Sequence, residues 1–293
     1  MASHHASTPW RPERAAAAAL AMAPAVWLAW LAYDGALGVR PVTEAIRFSG
    51  DWALRLLWLA LLIGPARRIL GAPRLIRSRR ILGVGVFGLS ALHFGLYALD
   101  QQFDWVHVAR ETVLRIYLAI GAIALIGLAA LAATSSDRAV ARLGSARWNL
   151  LHRTIYVLAA LAAVHFLLRS RTETFEPMLM LGLLAWLVGY RLLHRLTGDV
   201  TAHALLGLAA ACGALTAAAE VAWHAAATGV DPLRILAAHL DIAYGLRPAW
   251  WVLIAGLAAA AAGRRLRLVP HRPAARMTIS NAAPGSTRGQ SAS

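Results

Sequence analysis

Runs of about twenty apolar residues recur along the whole chain, and most of them end in arginine. A helix needs about 20 residues to cross the roughly 30 Å hydrocarbon core of a bilayer. A chain with many such runs can only fold as a bundle in lipid, where each helix pairs its own backbone groups. Eight runs approach that length: Ala15–Tyr33, Phe48–Ala66, Ile81–Leu99, Val113–Ala133, Leu150–Leu168, Pro177–Leu193, Ala202–Ala227 and Pro248–Ala262. The first follows Arg11 and Arg14 and imitates a signal peptide, but its apolar part is longer than a typical h-region, so it reads as a retained span. The second carries Arg55 and ends at Gly64-Pro65, which makes it the weaker pattern. With 59% hydrophobic residues and a mean hydropathy of +0.57, the composition agrees with a polytopic membrane protein.

The net charge is +15, and all 29 basic residues are arginine. The absence of lysine reads as a compositional bias. Arginines at the ends of apolar runs follow the membrane pattern of snorkelling and topology-setting charges, and this excludes nucleic-acid binding as the first reading. The segment PARRILGAPRLIRSRR between spans two and three holds six arginines, and TSSDRAVARLGSARW between spans four and five holds three. If every run crosses, these fall on one side together with Arg191, Arg195, Arg264, Arg265 and Arg267. The opposite loops, such as DQQFDWVHVARE, are mixed or acidic. The positive-inside rule then places both termini in the cytoplasm of a plasma (inner) membrane.

Two segments fall outside the spans. In DPLRILAAHLDIAYGL, Asp231 and Pro232 read as a helix start, and Leu233, Leu236, Leu240 and Tyr244 recur at helical spacing. An amphipathic helix on the outer surface is expected, with His239 off the stripe and solvated. The Pro-, Gly-, Ser- and Thr-rich end from about Pro270 reads as disordered. Cys212 is the only cysteine, so an intrachain disulfide or Cys-ligated cluster is excluded, and a metal or haem would be held by histidine.

Ionisable groups at bilayer depth are costly and mark function. His93 lies thirteen residues past Arg80 on span three, and His165 thirteen past His152 on span five. Both spans run inside to outside, so each interval of about 20 Å puts His93 and His165 in the outer half, on different helices at matched depth. Two neutral imidazoles facing each other are the axial pair of a six-coordinate b-type haem, an arrangement that favours electron transfer. Gly83, Gly85, Gly88 and Gly95 around His93, and Ala159, Ala160, Ala162 and Ala163 before His165, would let helices approach such a group. Arg55 and Arg115, near outer span ends, are candidate partners for haem propionates; the plainer reading of each is an interfacial arginine. The plainer reading of His93 and His165 is a hydrogen-bonded packing histidine. In one continuous helix His152 and His165 point about 140° apart, and RSRRILGVG offers no partner for a second haem at the inner edge. His152 therefore stays open between an inner haem, a quinone or flavin contact, and a headgroup-level residue. His107 lies beyond its span, His194 and His203 flank interfaces, and His4, His5 and His271 lie in the tails. Glu220 and His224, one turn apart, read as an ion pair or proton relay, or as marks of the outer helix end beside the interfacial Trp223.

The pieces GDWALRLLWLALLIGPARR (Gly50–Arg68), SRRILGVGVFGLSALHFGLY (Ser78–Tyr97), LRIYLAIG (Leu114–Gly121), ATSS (Ala133–Ser136) and RLGSARWNLLHRTIYVLAALAAVHF (Arg142–Phe166) carry a resemblance in their order and spacing. From about Gly50 to Leu193 the chain resembles the MsrQ or YedZ family, haem-binding membrane subunits of the bacterial periplasmic methionine sulfoxide reductase system, in the ferric-reductase-like transmembrane group. The resemblance implies b haem and FMN as cofactors and electrons drawn from the quinone pool or a flavin donor. It also implies a periplasmic molybdopterin subunit that reduces methionine sulfoxide in oxidised proteins. The family's membrane histidines fall on His93, His152 and His165. Ile116 stands where that family's pattern has proline.

The expected fold class is therefore all-α: a polytopic membrane helix bundle with a six-span haem-binding core and two extra C-terminal spans. The expected divisions are residues 1–47, a first span; 48–198, the haem-binding helices; 199–265, an extra pair with the surface helix; and 266–293, a tail. The expected role is an electron-transfer subunit whose terminal reduction lies on another chain, since the sequence offers no molybdenum site and no dinucleotide fingerprint following a strand. The competing readings are a ferric-reductase-like oxidoreductase with another acceptor, and a proton-coupled transporter without haem.

Overall fold

The computed structural model describes residues 12–170, 173–243 and 245–268. His4, His5, Arg11, Tyr244, His271 and most of the expected tail lie outside the described residues. Those residues form helices joined by short turns: α1 (Pro12–Tyr33), α2 (Pro41–Ile69), a 3₁₀ turn (Pro73–Arg77), α3 (Ser78–Asp100), α4 (Trp105–Leu114), α5 (Ile116–Ala133), α6 (Asp137–Leu143), α7 (Ser145–Arg153), α8 (Ile155–Arg169), α9 (Phe175–Thr197), α10 (Ala202–Thr228), α11 (Pro232–Ala238) and α12 (Pro248–Leu268).

Among the described residues, six segments are long and apolar enough to cross a membrane: Pro12–Tyr33, Pro73–Asp100, Ile116–Ala133, Ser145–Arg169, Phe175–Thr197 and Ala202–Thr228. The helices α2 and α12 are not among them. The reason is plain for α2, which carries Glu44, Arg47, Asp51 and Arg55 within three turns. Glu44 and Arg47 stand exposed near its start, while its apolar length runs through the middle of the bundle, packed on α1, α3, α8, α9 and α12, with Leu54, Leu56, Leu57, Trp58 and Leu61 buried. The outward faces are apolar instead: Leu20, Met22, Val26, Trp27 and Trp30 of α1 and Ile123 and Ile126 of α5 are exposed. That inversion suits a lipid surround.

Two runs that read as single spans are divided. The backbone turns extended at Arg115 (φ −105°, ψ 109°), so Val113 and Leu114 belong to α4 and the span begins at Ile116. The run holding both His152 and His165 breaks at Thr154, whose hydroxyl donates to the Leu151 carbonyl at 2.7 Å. A hydroxyl that bonds back to the preceding turn competes with the helix ladder.

Local chemistry fixes the other ends. Asp104, Ser136, Thr201 and Asp231 cap α4, α6, α10 and α11, each accepting a backbone N–H within 3.2 Å. Pro65 lies inside α2 and has no N–H to give the Leu61 carbonyl. Arg191 of α9 takes that place, its Nη2 donating to Leu61 O at 2.7 Å while its guanidinium covers the Tyr156 ring at 4.6 Å. Elsewhere Trp58 Nε1 donates to Met180 O at 2.9 Å, and Arg55 grips both carboxylate oxygens of Glu176 at 2.7 and 2.8 Å, so α2 and α9 are joined at several levels.

The C-terminal pair brings a correction. His239 is 6% exposed, not solvated. It sits under the turn after α11, with Nδ1 on the Ile235 carbonyl at 2.9 Å and Nε2 3.2 Å from Glu220 Oε2. Glu220 pairs with His239 and with Arg247 at 3.0 Å, while His224 contacts the Thr174 hydroxyl at 3.1 Å instead.

Candidate haem site

The helices α3 and α8 bring His93 and His165 together with ring centroids 6.4 Å apart and planes at 83°. Each ring is held from behind in the same manner. His93 Nδ1 bonds the Ile46 carbonyl of α2 at 2.8 Å, and His165 Nδ1 bonds the Tyr117 carbonyl of α5 at 2.6 Å. In both cases the residue four positions on is glycine. A Cβ on Gly50 would stand 2.9 Å from His93 Cε1, and one on Gly121 would stand 2.7 Å from His165 Nδ1. The glycines let each imidazole lie against a helix backbone and reach a carbonyl there. Ser49, fully buried, adds its hydroxyl 3.5 Å from His93 Nδ1.

A backbone carbonyl on Nδ1 fixes the tautomer with the proton on that nitrogen and leaves the Nε2 lone pair free. Nε2 of either ring takes no protein partner among the described residues. Both rings line one cavity of about 260 Å³. Its inner wall is apolar, with Leu54, Leu57, Val86, Leu125 and Leu128, and its far end carries Arg47, Asp51, Tyr97, Thr112, Tyr117 and Arg169. A metal bonded by two imidazoles at about 2 Å each sets the ring centres roughly 6 Å apart. The observed pair meets that separation, and two neutral nitrogen donors with no other ligand suit a haem iron, whose remaining four positions the macrocycle fills. The described residues hold no group of three or more His, Cys, Asp or Glu that would cage a free ion.

The other expected residues lie elsewhere. His152, in α7 at the arginine-rich end of the bundle, stacks on Trp148 with centroids 3.8 Å apart. Its Nδ1 is 3.2 Å from the Trp148 carbonyl and its Nε2 3.5 Å from the Ser135 hydroxyl, and it does not line the His93–His165 cavity. Arg55 is occupied by Glu176, and Arg115 pairs with Glu111 one turn before it; neither lines the cavity. The arginines that do are Arg47 and Arg169. Of the glycines on α3, Gly83, Gly88 and Gly95 have no neighbour within 4 Å of an added Cβ, and Gly85 faces Ala21 and Leu56. The glycines that serve the histidines sit on the opposing helices.

Residues 49–163 match the ferric reductase like transmembrane component family. A protein-methionine-sulfoxide reductase heme-binding subunit MsrQ from Caulobacter vibrioides is 39% identical over 158 residues, 54% of this chain and 75% of that protein. The chain belongs to the MsrQ family. Similar MsrQ proteins from Azospira oryzae and Rhodospirillum rubrum are 36% and 37% identical, over 79% and 82% of their own lengths. No solved structure matches. The ferric-reductase match takes in His93 on α3 and His152 on α7, ends two residues before His165, and leaves α9 to α12 outside it.

Proposed function

We propose that this chain is a membrane b-type cytochrome subunit that passes electrons to a methionine sulfoxide reductase partner outside the membrane. The observation that carries this reading is the His93–His165 pair, with each Nδ1 on a backbone carbonyl and the rings 6.4 Å apart. His93 and His165 would hold haem b through Nε2, and the group supplies a one-electron iron couple when bound. The carbonyls of Ile46 and Tyr117 orient the rings and hold the proton on Nδ1. The leucine wall excludes water from the slot. Relatives named as haem-binding subunits of a protein-methionine-sulfoxide reductase support the assignment.

The finer reading follows the family resemblance. Electrons come from membrane quinone or a flavin donor, with FMN as a further cofactor. The acceptor is a periplasmic molybdopterin subunit, and the chain sits in the inner membrane with both termini cytoplasmic. The position of His152 at the arginine-rich end supports a donor-side role for it.

Reduced-minus-oxidised spectra of the purified full chain test the core of this proposal. The wild type is expected to give a low-spin b-type spectrum that His93→Ala and His165→Ala each abolish. A wild type that stays colourless after expression with ample haem would sink it. Acid extraction for flavin fluorescence, and reconstitution with quinol and a molybdopterin partner, test the donor and acceptor separately.

A further inference from the structure

Arg47, Arg55, Arg115 and Arg169 stand toward the end of the bundle opposite the arginine-rich loops, and they fall into two classes. Arg55 is taken up by two short bonds to Glu176, and Arg115 by Glu111. Arg47 and Arg169 line the cavity and have only long contacts. Arg47 reaches Glu44 at 3.4 Å, one turn back on the same exposed face, and Arg169 reaches Asp51 at 3.5 Å. Strong charge-assisted bonds are shorter, about 2.7–2.9 Å. Both guanidiniums therefore keep donors to spare at the rim of an otherwise apolar slot.

Their positions relative to the histidines are fixed by helix geometry. Arg169 lies four residues past His165 on α8, so it stands one turn above that ring on the same face. Its guanidinium lies 5.5 Å over the Phe166 ring. Arg47 lies three residues before Gly50, the residue that seats His93, and so stands one turn above the other ring. Each histidine thus has one cation above it, on the same side of the cavity.

We propose that Arg169 and Arg47 bind the two propionate carboxylates of the haem, with Asp51 positioning Arg169, so that the carboxylate edge faces the α4 end of the bundle. This rests on the haem reading above. Two cations on one edge of an apolar slot complement a flat ligand with two anions on one edge. Asp51 holds Arg169 at the rim through one long bond from Nη2 and leaves its other donors free.

The experiment uses the full-length chain in detergent or nanodiscs, with wild type, Arg169→Gln, Arg169→Lys, Arg47→Gln and Asp51→Asn. Haem loss to excess apomyoglobin and the midpoint potential are read for each, and the apoprotein is also reconstituted with haem dimethyl ester, which lacks the carboxylates. Arg169→Gln and Arg47→Gln are expected to keep the low-spin spectrum but lose haem about tenfold faster, the loss of one charge-assisted bond. Their potentials should fall, because a cation beside the haem favours the added electron, while Asp51→Asn should raise it and Arg169→Lys should restore most of the wild-type value. With the dimethyl ester, wild type and the two Gln variants should release the group at the same rate. Unchanged haem loss and potential in both Gln variants, or a Gln penalty that persists with the ester, would overturn the assignment while leaving the haem reading intact. A colourless wild type would overturn the haem reading itself. If Arg169→Gln fails to fold, Arg47→Gln, at an exposed position, carries the test alone.

Discussion

Gly121 lies against His165 so closely that a methyl group there would stand 2.7 Å from Nδ1 and 2.8 Å from Cε1. Gly50 bears the same relation to His93, at 3.0 and 2.9 Å. Each glycine is four residues past the carbonyl its histidine bonds, so one structural device occurs twice, on α2 and on α5. It converts two helix backbones into supports for two imidazoles.

Gly121→Ala and Gly50→Ala should therefore displace the rings and break the Nδ1 bonds. Loss of a group that orients a metal-bound histidine costs roughly 10–100-fold in affinity. Haem titration of the apoproteins should show a loss of that size for both variants. Gly88→Ala, where an added methyl has no neighbour within 4 Å, should bind as wild type does. Equal affinity in all three would show that the glycines do not seat the rings.

The sequence put His93 and His165 at matched levels on two helices, and the rings do meet, because level along a helix depends only on counting residues from charged ends. It carried most helix bounds for the same reason: α1, α3, α9 and α10 start and stop within a few residues of their apolar runs. It did not show which helices face each other. The glycines that matter to His93 are therefore on α2, not on its own helix, and the cavity arginines are Arg47 and Arg169 in place of Arg55 and Arg115. The breaks at Arg115 and Thr154 leave no Gly or Pro in the chain to announce them. His239 looked solvated because its partner Glu220 lies nineteen residues earlier, on another helix. A signal was present, however: Gly50 on α2 and Gly121 on α5 are small residues inside apolar helices, and small residues mark places where a bulky group can come close.

Arg191 and Pro65 should be energetically coupled. Arg191→Leu strips the donor from a Leu61 carbonyl that Pro65 has already left without its helix partner. An unpartnered buried carbonyl costs about 1–3 kcal/mol. In a Pro65→Ala background the helix can supply its own N–H, so the same Arg191→Leu change should cost less. Thermal unfolding of the four proteins in one detergent measures the difference, and strict additivity would rule the coupling out.

The Glu220 cluster is expected to hold α11 against α10 and α12. Glu220 is 3% exposed on an apolar helix, with Arg247 at 3.0 Å. His239 Nε2 stands 3.2 Å from Oε2 but is not aligned as a hydrogen bond. Glu220→Ala leaves the guanidinium without its acid in a half-buried place, a loss of about 3 kcal/mol. Hydrogen exchange should rise across residues 231–243, and the haem spectrum should not change, since the cluster lies outside the cavity. Unaltered exchange there would mean that the pair does not hold the segment down.

His152 should act on electron input and not on haem retention. It stands in α7, beyond the break at Thr154, stacked on Trp148, whose Nε1 donates to the Thr134 carbonyl at 2.8 Å and ties α7 to the end of α5. His152→Ala is expected to keep the dithionite-reduced spectrum that His93 and His165 support, while reduction by a membrane quinol slows by tenfold or more, a barrier rise of about 1.4 kcal/mol. Trp148→Phe keeps an aromatic ring beside His152 but gives up the bond to Thr134, a loss of about 1 kcal/mol, so it should slow quinol reduction less than Trp148→Leu, which removes both. Stopped-flow reduction with quinol and with dithionite separates the two steps. If His152→Ala abolishes the dithionite spectrum as well, His152 is a haem ligand and the donor-side placement fails.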